Sequence, residues 1–342
     1  QNSKGRLRSA IFRERLERVV SKPLHGQFLR SLQNRWTDKE KTFAWLRSAG
    51  LKGETESLLV AAQDQALNTR YHQKKIIGLD VDSKCRVCNK NDETVSHIIA
   101  PTEYTHRHNK IATYLHWSIV KELGQQVPEH WYDHQPAPVV EREDVVVMYD
   151  EAVITDRTIG ANRPDIIIHN KREKRCTLID VSVPADANIA AKEVEKRCKY
   201  KDLEIARMWN TKTKVVQVVV GALGTLKIGF ENYLEELPCR VNAEQVQKIS
   251  LLGTAPNPTK GPIYRTINAL GSRDHEDVGT IPVTRKVSNS KAGVVDGEQP
   301  LECSIWKLSY YPPRNVVISR SGVLVATRHN ISQFVEGIAL GV

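Results

Sequence analysis

Arg163-Pro164-Asp165-Ile166-Ile167-Ile168, a charged turn over 170–175, and Thr177-Leu178-Ile179-Asp180-Val181-Ser182-Val183 decide the reading of the fold. Both apolar runs are short and rich in β-branched residues, which suits strands. The polar turn between them predicts a hairpin. Similar runs lie at 145–147 and 215–220, and residues 187–209 between the last two strands read as a helix. Strand, hairpin, helix and strand together predict an α/β domain with a mixed sheet.

That hairpin puts Asp165 at the opening of one strand and Asp180 inside its partner. Two carboxylates so placed can converge on one divalent cation, and hard oxygen donors suit Mg²⁺ or Mn²⁺. Such an ion polarises a phosphodiester and lowers the pKa of a bound water. On the following helix Lys192, Lys196 and Lys199 are spaced i, i+4, i+7, with Tyr200 beside them. Three ammonium groups on one face could meet a phosphate. The same lysines also suit a solvated face paired with Glu193 and Glu195.

A second constellation lies upstream. Cys85-x2-Cys88, followed by His97, has the spacing of zinc ligands, and tetrahedral zinc needs one donor more. His106 or His108, at the start of a predicted helix over 102–123, are the candidates for it. The six cysteines are otherwise scattered, which is no disulfide framework and fits a reducing compartment.

The chain of 342 residues carries 50 Lys+Arg against 40 Asp+Glu, a net charge of +10. Residues 1–50 hold 12 Lys+Arg and 4 Asp+Glu, so +8 of that charge sits in the first 50. A basic arm on a near-neutral body points to a polyanion, most often nucleic acid. Arg6, Arg8, Arg13, Arg15 and Arg18 on the arm, with Arg163 and Lys192 near the carboxylates, are the candidate phosphate contacts. No apolar run approaches the ~20 residues of a spanning helix, which excludes an integral helical membrane protein. No charged-then-apolar leader opens the chain, which predicts that it is not secreted. Thr37 with Glu40 reads as a capping box. Residues 6–34 read as a basic amphipathic helix broken at Pro23, and residues 54–71 as a longer helix. Residues 125–143, rich in Pro, His and acid, read as a linker.

Several of these segments together resemble a known family. They are Asn162-Arg163-Pro164-Asp165-Ile166-Ile167, Leu178-Ile179-Asp180-Val181-Ser182-Val183-Pro184, and Lys199-Tyr200-Lys201-Asp202-Leu203-Glu204-Ile205. Upstream, Cys85-Arg86-Val87-Cys88, Glu93-Thr94-Val95-Ser96-His97 and Lys22-Pro23-Leu24-His25-Gly26-Gln27-Phe28 follow the same order. Over roughly residues 20–254 the chain resembles the part of non-LTR retrotransposon polyproteins that follows the reverse transcriptase: a zinc knuckle and a restriction-like endonuclease. The resemblance implies an α/β restriction-endonuclease-like PD-(D/E)xK core with a mixed sheet, behind a helical connector and a zinc knuckle. It implies that Asp165 and Asp180 bind the catalytic cation, Mg²⁺ or Mn²⁺. Ser182 stands where the usual lysine would, so Lys196 or Lys199 from the helix takes that role, with Tyr200 in support. It implies DNA, and element RNA, as partners and a nuclear location.

This chain departs from the family at three places. It has no Tyr-x-Asp-Asp polymerase motif, so no reverse transcriptase activity is expected of it. The family's fourth knuckle ligand, a Cys shortly after the His, is missing. The likeness stops near residue 254. The expected organisation is a basic helical connector (1–80), a degenerate knuckle and helix (81–124), a linker (125–143), a restriction-like domain (144–254) and an unrelated tail (255–342). The expected function is a metal-dependent DNA endonuclease that nicks its target by phosphodiester hydrolysis. The alternative is a catalytically inert nucleic-acid-binding relic or domesticated fragment.

Overall fold

The computed structural model describes residues 3–86, 88–99, 104–153, 162–199 and 211–255. Tyr200 and the tail beyond residue 255 lie outside the described residues.

The strands are β1 (Val139–Arg142), β2 (Val145–Tyr149), β3 (Ile166–Asn170), β4 (Arg175–Ser182) and β5 (Lys212–Val219). They form one sheet in the order β1-β2-β3-β4-β5. β1 to β4 pair antiparallel, and β5 pairs parallel to β4, with Asp180 opposite Gln217. The chain is therefore a mixed α/β fold on a five-stranded mixed sheet, as the strand pattern predicts. Ile166, Ile167 and Ile168 of β3 are all buried, because both faces of that strand are covered. A strand covered on both faces reads as a continuous apolar run rather than an alternating one. β1 lies at the sheet edge, is mostly exposed and carries Glu141, which pairs with Lys171. Charge on an edge strand blocks unwanted pairing.

The helices are α1 (Ser3–Val20), α2 (Gln27–Ser31), α3 (Lys39–Ser48), α4 (Gly53–Gln63), α5 (Arg70–His72), α6 (Val95–Ile99), α7 (Tyr104–Glu122), α8 (Ile189–Lys199), α9 (Phe230–Glu235) and α10 (Ala243–Thr254). α8 follows β4 and precedes β5, the long connection that parallel strands require. Among the described residues no helix is long and apolar enough to cross a membrane. One apolar cluster joins Phe28, Trp45 and Leu59 from the N-terminal helices to Ile111 and Leu115 of α7, Ile166 and Val218 of the sheet, and Val246 of α10. Buried amides tie the same parts together. The Gln63 side chain donates to the Leu223 carbonyl at 2.9 Å, and that of Gln247 to the Gly224 carbonyl at 2.6 Å.

Several local expectations differ from what forms. Residues 125–143 contain a 3-10 turn (Trp131–Asp133) and strand β1, so only part of that stretch links other elements. The residue capping α3 is Asp38, which accepts the Lys41 N–H; Thr37 instead pairs with Lys227 in an isolated bridge. The helix expected over 54–71 stops at Gln63, because Gln65 adopts a positive φ of 57°. The helix expected over 6–34 is broken after Val20 and resumes for one short turn at α2.

Candidate functional site

Side chains alternate along a strand, so Asp180 and Ser182 share one face of β4 while Ile179 and Val181 point to the other. α8 covers the Asp180 side. Its Lys196 brings Nζ to 2.7 Å from Asp180 Oδ2, with the carboxylate fully buried and the ammonium largely so. Asp165 sits just before β3, and its Oδ2 accepts the Val181 N–H at 2.6 Å. The same oxygen lies 3.1 Å from His108 Nε2 on α7. Four residues before His108, the Tyr104 hydroxyl meets Ser182 Oγ at 3.2 Å, and its ring stacks on that imidazole. Residues at i and i+4 share a helix face, which is why both reach the sheet.

The electrostatics follow from this packing. Burial alone would raise the Asp165 carboxyl, but the hydrogen bond and charge of His108, the Val181 N–H and Lys196 hold it below the ordinary range. Burial would lower His108, and Asp165 more than reverses that. Burial would likewise lower Lys196, yet Asp180 first, then Tyr104 and Asp165, keep it above the ordinary lysine value. The centre sets two carboxylates beside an ammonium and an imidazole. A buried pair of this kind is costly to break by removing one partner.

The structure thus brings together Asp165, Asp180 and Lys196, and adds His108, Tyr104 and Ser182. Lys199 ends α8, and Tyr200 lies outside the described residues. Lys192 is bound to Glu195 within the helix, at 2.7 Å. Arg163 turns to Asp150, with Nε 2.9 Å from Oδ1. Both are ion-paired rather than clustered over the carboxylates. Arg6, Arg8, Arg13, Arg15 and Arg18 are all exposed on α1, which has no buried residue.

The second centre is formed by Cys85, Cys88 and His97, whose ligand atoms lie within 4.8 Å of one another. The turn that makes it runs from Cys85 to Asn89. The Asn89 N–H donates to the Cys85 carbonyl at 2.8 Å, and Asn89 takes φ 53°. Asn tolerates that left-handed conformation better than most residues. His97 arrives on α6, whose Thr94 side chain accepts the His97 N–H at 3.1 Å. Cys88 Sγ lies 3.2 Å from His97 Nε2. The N–H groups of Asn91 and Lys90, and then His97 and Cys85, pull the Cys88 thiol down to about 6. A thiolate is the form that binds metal, so the donor chemistry fits zinc. His108, one of two candidates for the fourth ligand, belongs instead to the carboxylate centre, where Asp165 holds it. His106 is exposed and stands outside the three-residue group among the described residues.

No family model matches the chain. It is 27% identical over 177 residues to an elongation factor Ts of Synechococcus sp. (strain JA-2-3B'a(2-13)), a likeness covering 49% of this chain and 60% of that protein. The chain thus spans less than two thirds of the relative it matches. This finding corrects the functional expectation: the likeness is to an elongation factor and points away from a retrotransposon DNA endonuclease and its nuclease and reverse-transcriptase-like associations.

Proposed function

We propose that this chain is a translation-factor-like RNA-binding protein whose basic first helix makes the phosphate contacts. The observation that carries the proposal is α1: 18 residues, none of them buried, with five exposed arginines. A helix with no buried side chain leaves its arginines open to a partner. The likeness to elongation factor Ts supports a setting in translation, and hence RNA in preference to DNA. Binding driven by such arginines is salt-dependent through counterion release. Anisotropy of a labelled RNA hairpin, titrated between 50 and 200 mM salt (about the range over which such binding weakens strongly), tests it. Deletion of residues 1–20 is expected to weaken binding about tenfold or more. It is also expected to flatten the salt slope by ~0.7–0.9 for each phosphate that the arginines no longer neutralise. An unchanged slope would overturn the proposal.

Two metals belong to the same reading. Zn²⁺ is held by Cys85, Cys88 and His97 and acts as a folding staple. Mg²⁺ or Mn²⁺, which keeps several waters and needs only one or two carboxylates, is held by Asp165 and Asp180 in competition with His108 and Lys196. For the unit built from β1 to β5 and α8, we propose the restriction-endonuclease-like description that its motifs imply, as a statement of architecture and descent. A fold carries no activity by itself, and the proposal includes no cleavage.

A further inference from the structure

We propose that Glu93 is a positioning residue for the Cys85–Cys88–His97 centre, holding the cysteine turn in its ligating shape before metal arrives. The inference rests on the zinc reading above. Glu93 is fully buried, a rare place for a carboxylate unless it is paired. It accepts from four donors. Oε1 takes the Arg70 N–H at 3.0 Å and the Arg86 Nη2 at 2.5 Å. Oε2 takes the Arg86 N–H at 3.1 Å and its Nε at 2.8 Å. A carboxylate has about four lone-pair sites, and here all are filled.

The identity of those donors gives the role. Arg86 lies between the two cysteines, and Glu93 grips both its backbone and its guanidinium fork. Bidentate pairing of this kind fixes direction as well as distance. The Glu93 N–H donates to the Ser83 carbonyl at 2.8 Å, and the Cys85 N–H to the Asn91 carbonyl at 2.8 Å, so the loop is closed from both sides. The next residue, Thr94, caps the helix that presents His97. Through Arg70, the same carboxylate also anchors the start of α5. One side chain therefore sets the cysteine turn against the histidine helix without touching a ligand atom. Ligand-orienting groups of this kind typically contribute 10–100-fold to metal affinity.

The test is zinc affinity of the full chain, by competition with a chromophoric chelator, for wild type, E93Q, R86K and C85S. Cobalt absorption serves as a second readout. E93Q keeps the size of the side chain but turns a donor toward Arg86. It is expected to bind zinc ~10–100-fold more weakly, while its cobalt complex keeps the wild-type thiolate bands because the ligands are unchanged. R86K, which loses the fork, is expected to shift affinity in the same direction by less. C85S is expected to lose the thiolate bands of the wild type. Wild type and E93Q of equal affinity, both tight, would overturn the positioning role and leave the zinc reading intact. A wild-type chain that binds no zinc would overturn both. Circular dichroism at saturating zinc separates an unfolded variant from a folded one with a loosened site, and R86K carries the test where E93Q does not fold.

Discussion

Lys196 Nζ stands 2.7 Å from Asp180 Oδ2, joining a helix to the strand beneath it inside a site that water scarcely reaches. The pair is buried on both sides, so truncating either partner leaves an uncompensated charge. K196M is expected to lose about 3–5 kcal/mol of unfolding free energy. Urea unfolding measures it. The double variant D180N/K196M is expected to recover a large part of the loss, because neither charge is then left alone. Additive losses would show that the two side chains do not interact.

A second prediction concerns pH. His116 of α7 is fully buried, and its Nδ1 lies 2.8 Å from His134 Nε2. Burial first, then the neighbouring His134, push His116 down to about 4 from 6.5. The folded state therefore resists a proton that the unfolded chain accepts. Stability is fully present above pH ~6.5 and falls as pH drops toward 4, by about 3 kcal/mol from this group. Denaturant midpoints between pH 7 and pH 4 check this. H116Q is expected to be less stable at pH 7 and to show a flatter profile. An identical pH slope in both proteins would remove His116 as the source.

The strands of the central sheet are legible in the sequence because β-branched runs separated by a charged turn have few other ways to fold. The convergence of Asp165 and Asp180 follows from that hairpin alone, whereas helical spacing offers Lys192, Lys196 and Lys199 without choosing among them, and the packing of α8 brings Lys196 to Asp180. What surrounds them is not legible. Tyr104 meets Ser182 across 78 positions, and no local pattern announces such a pairing. His108 reads as a zinc candidate because it follows the cysteines in sequence, yet its helix carries it to the carboxylates. β1 is hidden because an exposed edge strand shows no alternation and here begins beside prolines. Glu93 is visible only as one acid among 40. Its burial depends on Arg86 and Arg70 closing over it, which is a tertiary fact.

The packing of α7 against α10 gives a third prediction. A Cβ on Gly253 would lie 2.5 Å from Arg107 Cγ and 3.3 Å from Arg107 Cα. Arg107 is itself buried and donates to the Ile99 carbonyl at 2.8 Å, so it has little room to withdraw. Two helices approach here because one contributes no side chain. G253A is expected to destabilise by about 1–3 kcal/mol despite the better helix propensity of alanine. Thermal unfolding measures the change. A stabilised G253A would show that the helices separate at no cost.

Metal removal gives the last prediction, and it separates a staple from an ornament. Val95, Ile98 and Ile99 of the histidine helix are part of the main apolar cluster, so the cysteine–histidine centre is joined to the body of the protein rather than hung from it. A ligand that binds only the folded state stabilises it by about 2.7 kcal/mol at one hundred times its dissociation constant. For a folded body of about 150–250 residues, each kcal/mol moves the melting temperature by ~2–4 °C. Chelation of zinc from the wild-type chain is therefore expected to lower the melting temperature by about 5–10 °C. C85S, which lacks a ligand, is expected to melt near the chelated wild type and to ignore the chelator. Scanning calorimetry with and without chelator reads both. A wild-type melting curve unmoved by chelator would show that the hydrogen bonds of Glu93 and the apolar side of α6 hold this region without metal.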